Sequence, residues 1–237
     1  MARGSGHGRG AGSRRLAERV KTAKGRPLSS TRWLGRQLND PYVAEAKRRG
    51  YRSRAAFKLI EMDDKLHLLR PGARVVDLGA APGGWTQVAA QRVKGGQVVA
   101  LDVLEMDPVA GATVLCADFY APEALAQLRG ALGGPADLVL SDMAPPTTGE
   151  PDTDHLRIMS LAEASLAFAL EVLKPAQGKY PGGAFVVKLR QGAGEQEFFA
   201  GLRRHFATVR RIKPPASRPG SSELYVVATG FRAAGAG

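Results

Sequence analysis

From Ala73 onward, short runs of β-branched and other apolar residues alternate with longer stretches whose apolar residues recur every three or four positions. The runs predict seven strands, over 73–78, 97–102, 112–117, 136–141, 183–189, 207–212 and 223–229. The longer stretches predict helices over about 84–93, 121–132, 155–174 and 195–206, each long enough to carry the chain between parallel strands. This alternation is the pattern of an α/β sheet protein. Only KPPASRPGSS separates the last two strands, and it is too rich in Pro and Gly for a helix, which predicts an antiparallel, hairpin-like ending. AQGKYPGG, 176–183, reads as a loop with its turn centred on Pro181 and Gly182. Upstream of the sheet, Ser53 is placed to cap a helix reaching about Leu66, with Ala56, Leu59, Ile60 and Leu66 as its apolar face.

A chain of 237 residues that is 44% hydrophobic supports one full core and a tail. The expected organisation is a basic, Gly/Arg-rich tail at 1–30, a basic and aromatic segment with a helix at 31–70, a core at 71–231, and a short C-terminus at 232–237. Charge sharpens that division. Residues 1–58 hold 16 Lys and Arg against 3 Asp and Glu, whereas the remainder holds 18 against 19, so the whole excess of +12 lies at the N-terminal end. Such an excess points to a polyanionic partner, RNA above all. Between Trp33 and Lys58 the cations are interleaved with Trp33, Tyr42, Tyr51 and Phe57, a mixture that grips phosphate and stacks bases. The 32–54 segment, with Arg203, Arg204, Arg210, Arg211, Lys213 and Arg218, is the expected RNA surface. One cysteine, Cys116, and four histidines leave no disulfide framework and no metal-ligand spacing, so no metal is expected. No apolar run approaches the roughly 18 residues of a membrane span, and the N-terminus lacks the apolar stretch of a secretory signal. A cytoplasmic monomer is the expectation.

The first strand runs into GAAPGGW, Gly79 to Trp85, at the strand's carboxyl end, where open α/β sheets bind ligands. Gly79 and Gly84 have the spacing of a phosphate-binding loop, but Trp85 stands where that loop needs Lys. Pro82 removes an amide that a dinucleotide pyrophosphate would use. A ligand poor in phosphate fits better. Asp102, 23 positions after Gly79, ends the second strand at the separation suited to ribose hydroxyls. Asp118 ends the third, where a carboxylate can accept from an adenine amino group, and Asp77 near the end of the first would face a cationic group. Ribose, adenine and a positive centre without phosphate describe S-adenosylmethionine; three ordinary turn-capping carboxylates are the plainer alternative.

Asp142 follows the fourth strand, Lys188 interrupts the apolar fifth, Glu223 opens the seventh, and Lys58 precedes the core. A lysine in an apolar strand needs a partner or loses its proton. Methyl transfer from a sulfonium to a hydroxyl is an in-line displacement that needs a nucleophile held at about 3–3.5 Å and a base for its proton. Desolvation and a second ammonium nearby favour a lysine in that role, and carboxylates oppose it.

DLGAAPGGW, LDVLEMDP, SDMAPP, FVVKL and SSELYVVATG, preceded by YRSRAAFKL, resemble the FtsJ (RrmJ)-type ribosomal RNA 2′-O-ribose methyltransferases over about residues 31–231. The resemblance implies a Rossmann-like methyltransferase fold with a seven-stranded, mostly parallel sheet, an antiparallel last strand and helices on both faces. It also implies S-adenosylmethionine as donor and a Lys58, Asp142, Lys188, Glu223 tetrad with Lys188 as proton acceptor. Cofactor contacts are implied at Gly83, Trp85, Asp102, Asp118 and Asp142, beside Asp77, Gly79 and Gly84 from the loop itself. Bacterial members modify a uridine ribose in the A loop of large-subunit ribosomal RNA, on assembled or nearly assembled particles, which makes the large subunit or its precursor the expected partner. This chain departs from that pattern at Pro146, commonly Asn, at an inserted-looking loop over 176–182, and in its longer tail. Related members act on transfer RNA or messenger RNA caps, so the tetrad does not choose the RNA. A nicotinamide oxidoreductase and a noncatalytic RNA-binding assembly factor are the competing readings.

Overall fold

The computed structural model describes residues 34, 35, 37–218 and 220–233. The 1–30 tail, Trp33 and the last four residues of the C-terminus lie outside the described residues. The chain up to Ala44 and the chain from Glu45 onward are separate compact units. Helix α1 (Pro41–Arg49), which crosses that boundary, begins where the Asp40 carboxylate accepts the Tyr42 amide at 3.0 Å, an ordinary N-terminal cap.

The second unit contains α2 (Ala56–Leu66), β1 (Arg74–Leu78), α3 (Gly84–Arg92), β2 (Gln97–Asp102), β3 (Thr113–Cys116) and α4 (Pro122–Leu132). It continues with β4 (Leu138–Ser141), α5 (Pro151–Val172), β5 (Ala184–Arg190), α6 (Glu195–His205), β6 (Phe206–Ile212) and β7 (Glu223–Phe231). The seven strands form one sheet in the order β3-β2-β1-β4-β5-β7-β6, and β7 alone runs antiparallel to its neighbours. This is the Rossmann-like methyltransferase sheet. The Pro- and Gly-rich link returns the chain so that β7 slots between β5 and β6, pairing Lys188 with Tyr225 in register.

Successive strand residues face opposite sides, and the core divides accordingly. Val76, Val99, Val139, Phe185, Val187 and Val226 pack under α4, α5 and α6. Val75, Val98, Leu138, Leu140, Val186, Tyr225 and Val227 pack under α2 and α3. Helices therefore cover both faces. Polar residues at the same alternating positions, Asp77, Lys188 and Glu223 within their strands and Asp142 just past β4, share the α2/α3 side. Among the described residues no helix is long and apolar enough to cross a membrane.

Three local expectations are corrected. Ser53 makes no side-chain cap: α2 starts at Ala56 after an αR Ala55, and Ser53 Oγ has no hydrogen-bond partner. Leu59 on that helix is fully buried as expected, but Met62, absent from the predicted face, is fully buried too. The turn in 176–183 centres on Gly178 and Lys179, closed by paired hydrogen bonds between Gln177 and Tyr180, because Gly178 takes a φ of 56°. Helix α5 begins at Pro151, earlier than its hydrophobic period suggested, with Asp152 and Asp154 in its first turn. It ends early because Leu173 leaves to bridge Ala136, which in turn shortens β4 at its start.

Candidate active site

At the carboxyl ends of β1, β2 and β3 lies a cavity of about 610 Å³ whose lining includes Gly79, Asp102, Asp118, Tyr120, Asp142 and Met143. The loop after β1 passes so close to the loop after β4 that a side chain at Gly79 would begin 2.7 Å from the Met143 backbone. Gly79 also sits at φ 75°, so glycine is required there twice over. Asp102 ties two walls together, accepting the Ala81 amide on Oδ2 and the Leu104 amide on Oδ1, each at 2.9 Å. Asp118 accepts the Tyr120 amide on Oδ1 at 3.0 Å, a local turn of its own side chain.

Ala81 also lines this cavity, whereas Gly83, Gly84 and Trp85 do not. Gly83, at φ 105°, leaves room for Arg52, whose Nη1 would stand 2.9 Å from a methyl group at that position. A side chain at Gly84 would collide with Ser53 Oγ. Trp85 is buried; its Nε1 donates to the Ala55 carbonyl at 2.8 Å and its ring lies 5.5 Å from that of Tyr225. Gly83, Gly84 and Trp85 thus bind the glycine loop to the segment entering α2.

Asp77 is fully buried, with Oδ2 accepting from Thr86 Oγ1 at 2.7 Å and Oδ1 without a partner. Burial pushes its carboxyl up to about 7; the Thr86 hydroxyl opposes this, and the nearby Asp142 and Asp102 carboxylates add to it. Since the folded value lies above the unfolded one, Asp77 contributes stability that is complete below about pH 4 and is lost as pH rises through 7. Asp77→Asn is expected to unfold at a midpoint whose advantage over the unmodified protein grows across that window, towards a limit on the order of 4 kcal/mol. Urea titrations of both proteins from pH 4 to 8 check this; a pH-independent difference would refute the assignment.

Lys58, Asp142, Lys188 and Glu223 lie together on the α2/α3 side of the sheet. Lys188 Nζ stands 3.1 Å from Asp142 Oδ1 and donates to the Asp142 carbonyl at 2.5 Å. Lys58 Nζ pairs with Glu223 Oε2 at 3.4 Å. The two pairs are joined by Tyr225, which donates to Asp142 Oδ1 at 2.8 Å and accepts from Lys58 Nζ at 2.9 Å. Sequence reasoning missed Tyr225, although its position two residues beyond Glu223 puts both on one side of β7. Burial, then the charge of Asp142 and the bond to it, hold the Tyr225 hydroxyl well above its ordinary range, so it stays a donor. Both lysines are buried, each about 7% exposed, and satisfied within this network, as buried polar groups must be. Asp142 belongs to both the network and the cavity wall, so the two adjoin.

The expected RNA cations are divided by the fold. Arg203 and Arg211 lie over the Phe199 ring of α6, and Arg211 pairs with Glu195 at 2.5 Å, on the side of the sheet away from Lys58. Lys213 Nζ donates to the Ser221 carbonyl at 2.8 Å, bracing the β6–β7 link. Arg210 alternates to the same side of β6 as Ile212, the side that α2 and α3 cover. Arg54 donates to the Ala216 carbonyl at 2.6 Å, holding that link against the start of α2.

Residues 51–231 match the model of the FtsJ-like methyltransferases. The chain is 61% identical over 236 residues to the ribosomal RNA large subunit methyltransferase E of Paramagnetospirillum magneticum, covering 97% of this chain and 94% of that one. It is 59% identical over 226 residues to the Rhodospirillum rubrum protein of the same name, covering 93% and 84% respectively. A Plasmodium falciparum structure described as a ribosomal RNA methyltransferase superposes with a TM-score of 0.67 at 28% identity, covering 77% of this chain and 100% of that one. With the family model matched over residues 51–231 and relatives at 61% and 59% identity along nearly its whole length, the chain belongs to the FtsJ-like methyltransferase family.

Proposed function

We propose that this protein transfers a methyl group from S-adenosylmethionine to a ribose 2′-hydroxyl of large-subunit ribosomal RNA, with an A-loop uridine as the nucleotide. The observation that carries the reading is the hydrogen-bonded chain Glu223–Lys58–Tyr225–Asp142–Lys188, which meets the cavity after β1–β3 through Asp142. The names of the relatives support the choice of RNA.

The cavity fits the donor in its chemistry. The carboxylates of Asp102, Asp118 and Asp142 in its lining disfavour phosphate and suit hydroxyl and amino donors, and Asp77, buried outside that lining, leaves Oδ1 without a partner. Asp102 would hold the ribose, Asp118 the adenine amino group and Asp77 the ammonium end, with Gly79 keeping the entrance free of side chains. S-adenosylmethionine supplies the sulfonium-bound methyl group. As the hydroxyl oxygen bonds to the methyl carbon and the S–CH3 bond breaks to release S-adenosylhomocysteine, Lys188 as its neutral amine would accept the hydroxyl proton; Asp142 orients that amine through Oδ1, and Lys58 with Glu223 fixes the hydroxyl's approach from the other end. Tyr225 keeps the two halves in register.

Mapping 2′-O-methyl marks on ribosomal RNA tests the proposal, using cells that lack the protein and cells complemented with the wild-type chain. One mark in the large subunit is expected to vanish and return on complementation. An unchanged methylation map would refute the proposed substrate.

A further inference from the structure

Arg52 lies in the basic segment expected to meet RNA, yet its guanidinium is turned inward. Nη1 donates to the Asp107 carbonyl at 2.6 Å and the Pro82 carbonyl at 3.3 Å, and Nη2 donates to the Pro108 carbonyl at 2.7 Å. Its backbone is gripped as well: the Arg52 amide donates to Gln87 Oε1 at 2.9 Å, and Gln87 Nε2 donates to the Gly50 carbonyl at 3.0 Å. Among the described residues no carboxylate forms an ion pair with Arg52.

These carbonyls belong to two different walls. Pro82 is in the glycine loop, and Asp107 and Pro108 are in the β2–β3 connection, which, after Asp102 at the end of β2, contributes Val103 and Leu104 to the cavity. Val103 and Leu104 are 62% and 64% exposed, so apolar packing does not anchor the start of that connection. Val109 is buried, and it borders the space that the absent side chain of Gly83 leaves open to Arg52. A planar fork with five N–H donors can span carbonyls from two loops, whereas an ammonium on a flexible stem cannot hold all three at once.

We propose that Arg52 is a positioning residue for the donor pocket, clamping the glycine loop to the β2–β3 connection, and is not a phosphate contact. The proposal rests on the reading of the cavity as the S-adenosylmethionine site. It also explains why Gly83 is a glycine although it does not line the cavity: the position makes room for the clamp.

The test compares Arg52→Gln and Arg52→Lys with the wild type in four measurements: calorimetric affinity for S-adenosylhomocysteine, donor KM and kcat, RNA affinity, and melting midpoint. Arg52→Gln is expected to weaken S-adenosylhomocysteine binding and raise donor KM by about tenfold, the scale of losing charge-assisted hydrogen bonds. Turnover at saturating donor and RNA affinity stay within about twofold. Arg52→Lys is expected to recover only part of the donor affinity, and it carries the test should the Gln variant fail to fold. Donor affinity at the wild-type level in either variant would overturn the clamp, as would weakened RNA binding with donor binding intact. Failure of the underlying reading looks different: the wild-type protein itself would not bind S-adenosylhomocysteine.

Discussion

Replacing Lys188 by Met is expected to slow methyl transfer by about a thousandfold while donor affinity stays within about threefold. Lys188 is buried on the α2/α3 side of β5, and a methionine fills nearly the same volume with nearly the same flexibility. What disappears is the amine held by Asp142 Oδ1 and the Asp142 carbonyl. Because Lys188 does not line the cavity that would hold the donor, binding and chemistry should separate. Single-turnover transfer of a labelled methyl group, with S-adenosylhomocysteine affinity measured in parallel, checks both halves. Turnover near the wild-type rate would remove Lys188 from the reaction.

Trp85→Ala is expected to destabilise the fold by about 3–5 kcal/mol, the usual cost of truncating a buried aromatic ring. The ring is 3% exposed, packs beside Tyr225 and donates to the Ala55 carbonyl at the start of α2. Its loss would open a void under the residue that joins Lys58 to Asp142 and would loosen the helix that carries Lys58. Transfer should therefore fall together with stability. Trp85→Phe keeps most of the ring and gives up one hydrogen bond, at a cost of about 1 kcal/mol. Denaturant unfolding of the two variants checks the ordering. If Trp85→Ala instead unfolded like the wild type and bound the donor weakly, the residue would be a ligand contact, as the family resemblance alone implies.

Much of the architecture was legible because it is written in local periodicity. Seven runs of β-branched residues became seven strands, and KPPASRPGSS, unable to form a crossover helix, forced the antiparallel ending. Candidate site residues were legible where they broke a pattern: a lysine inside FVVKL, and aspartates closing strands. Tyr225 was invisible for the opposite reason. An aromatic in an apolar strand looks like core, and it is core; only its hydroxyl, placed beside Lys188 by the β5–β7 register, makes it polar machinery. The glycine loop serves two purposes that its motif does not separate: Gly79 faces the cavity, whereas Gly83, Gly84 and Trp85 face the segment before α2.

The sequence by itself determined the α/β class, the number of strands, the concentration of positive charge before residue 59 and the residue types able to carry methyl transfer. Each of these depends on neighbours a few positions apart or on composition. The tertiary structure alone decided which side of the sheet those residues share, that β7 enters between β5 and β6, that Tyr225 bridges the two lysine–carboxylate pairs, and that Arg52 is spent on backbone carbonyls. Those outcomes depend on strand order and register, which bring together residues as far apart in the chain as Lys58 and Glu223, and no local pattern encodes that distance.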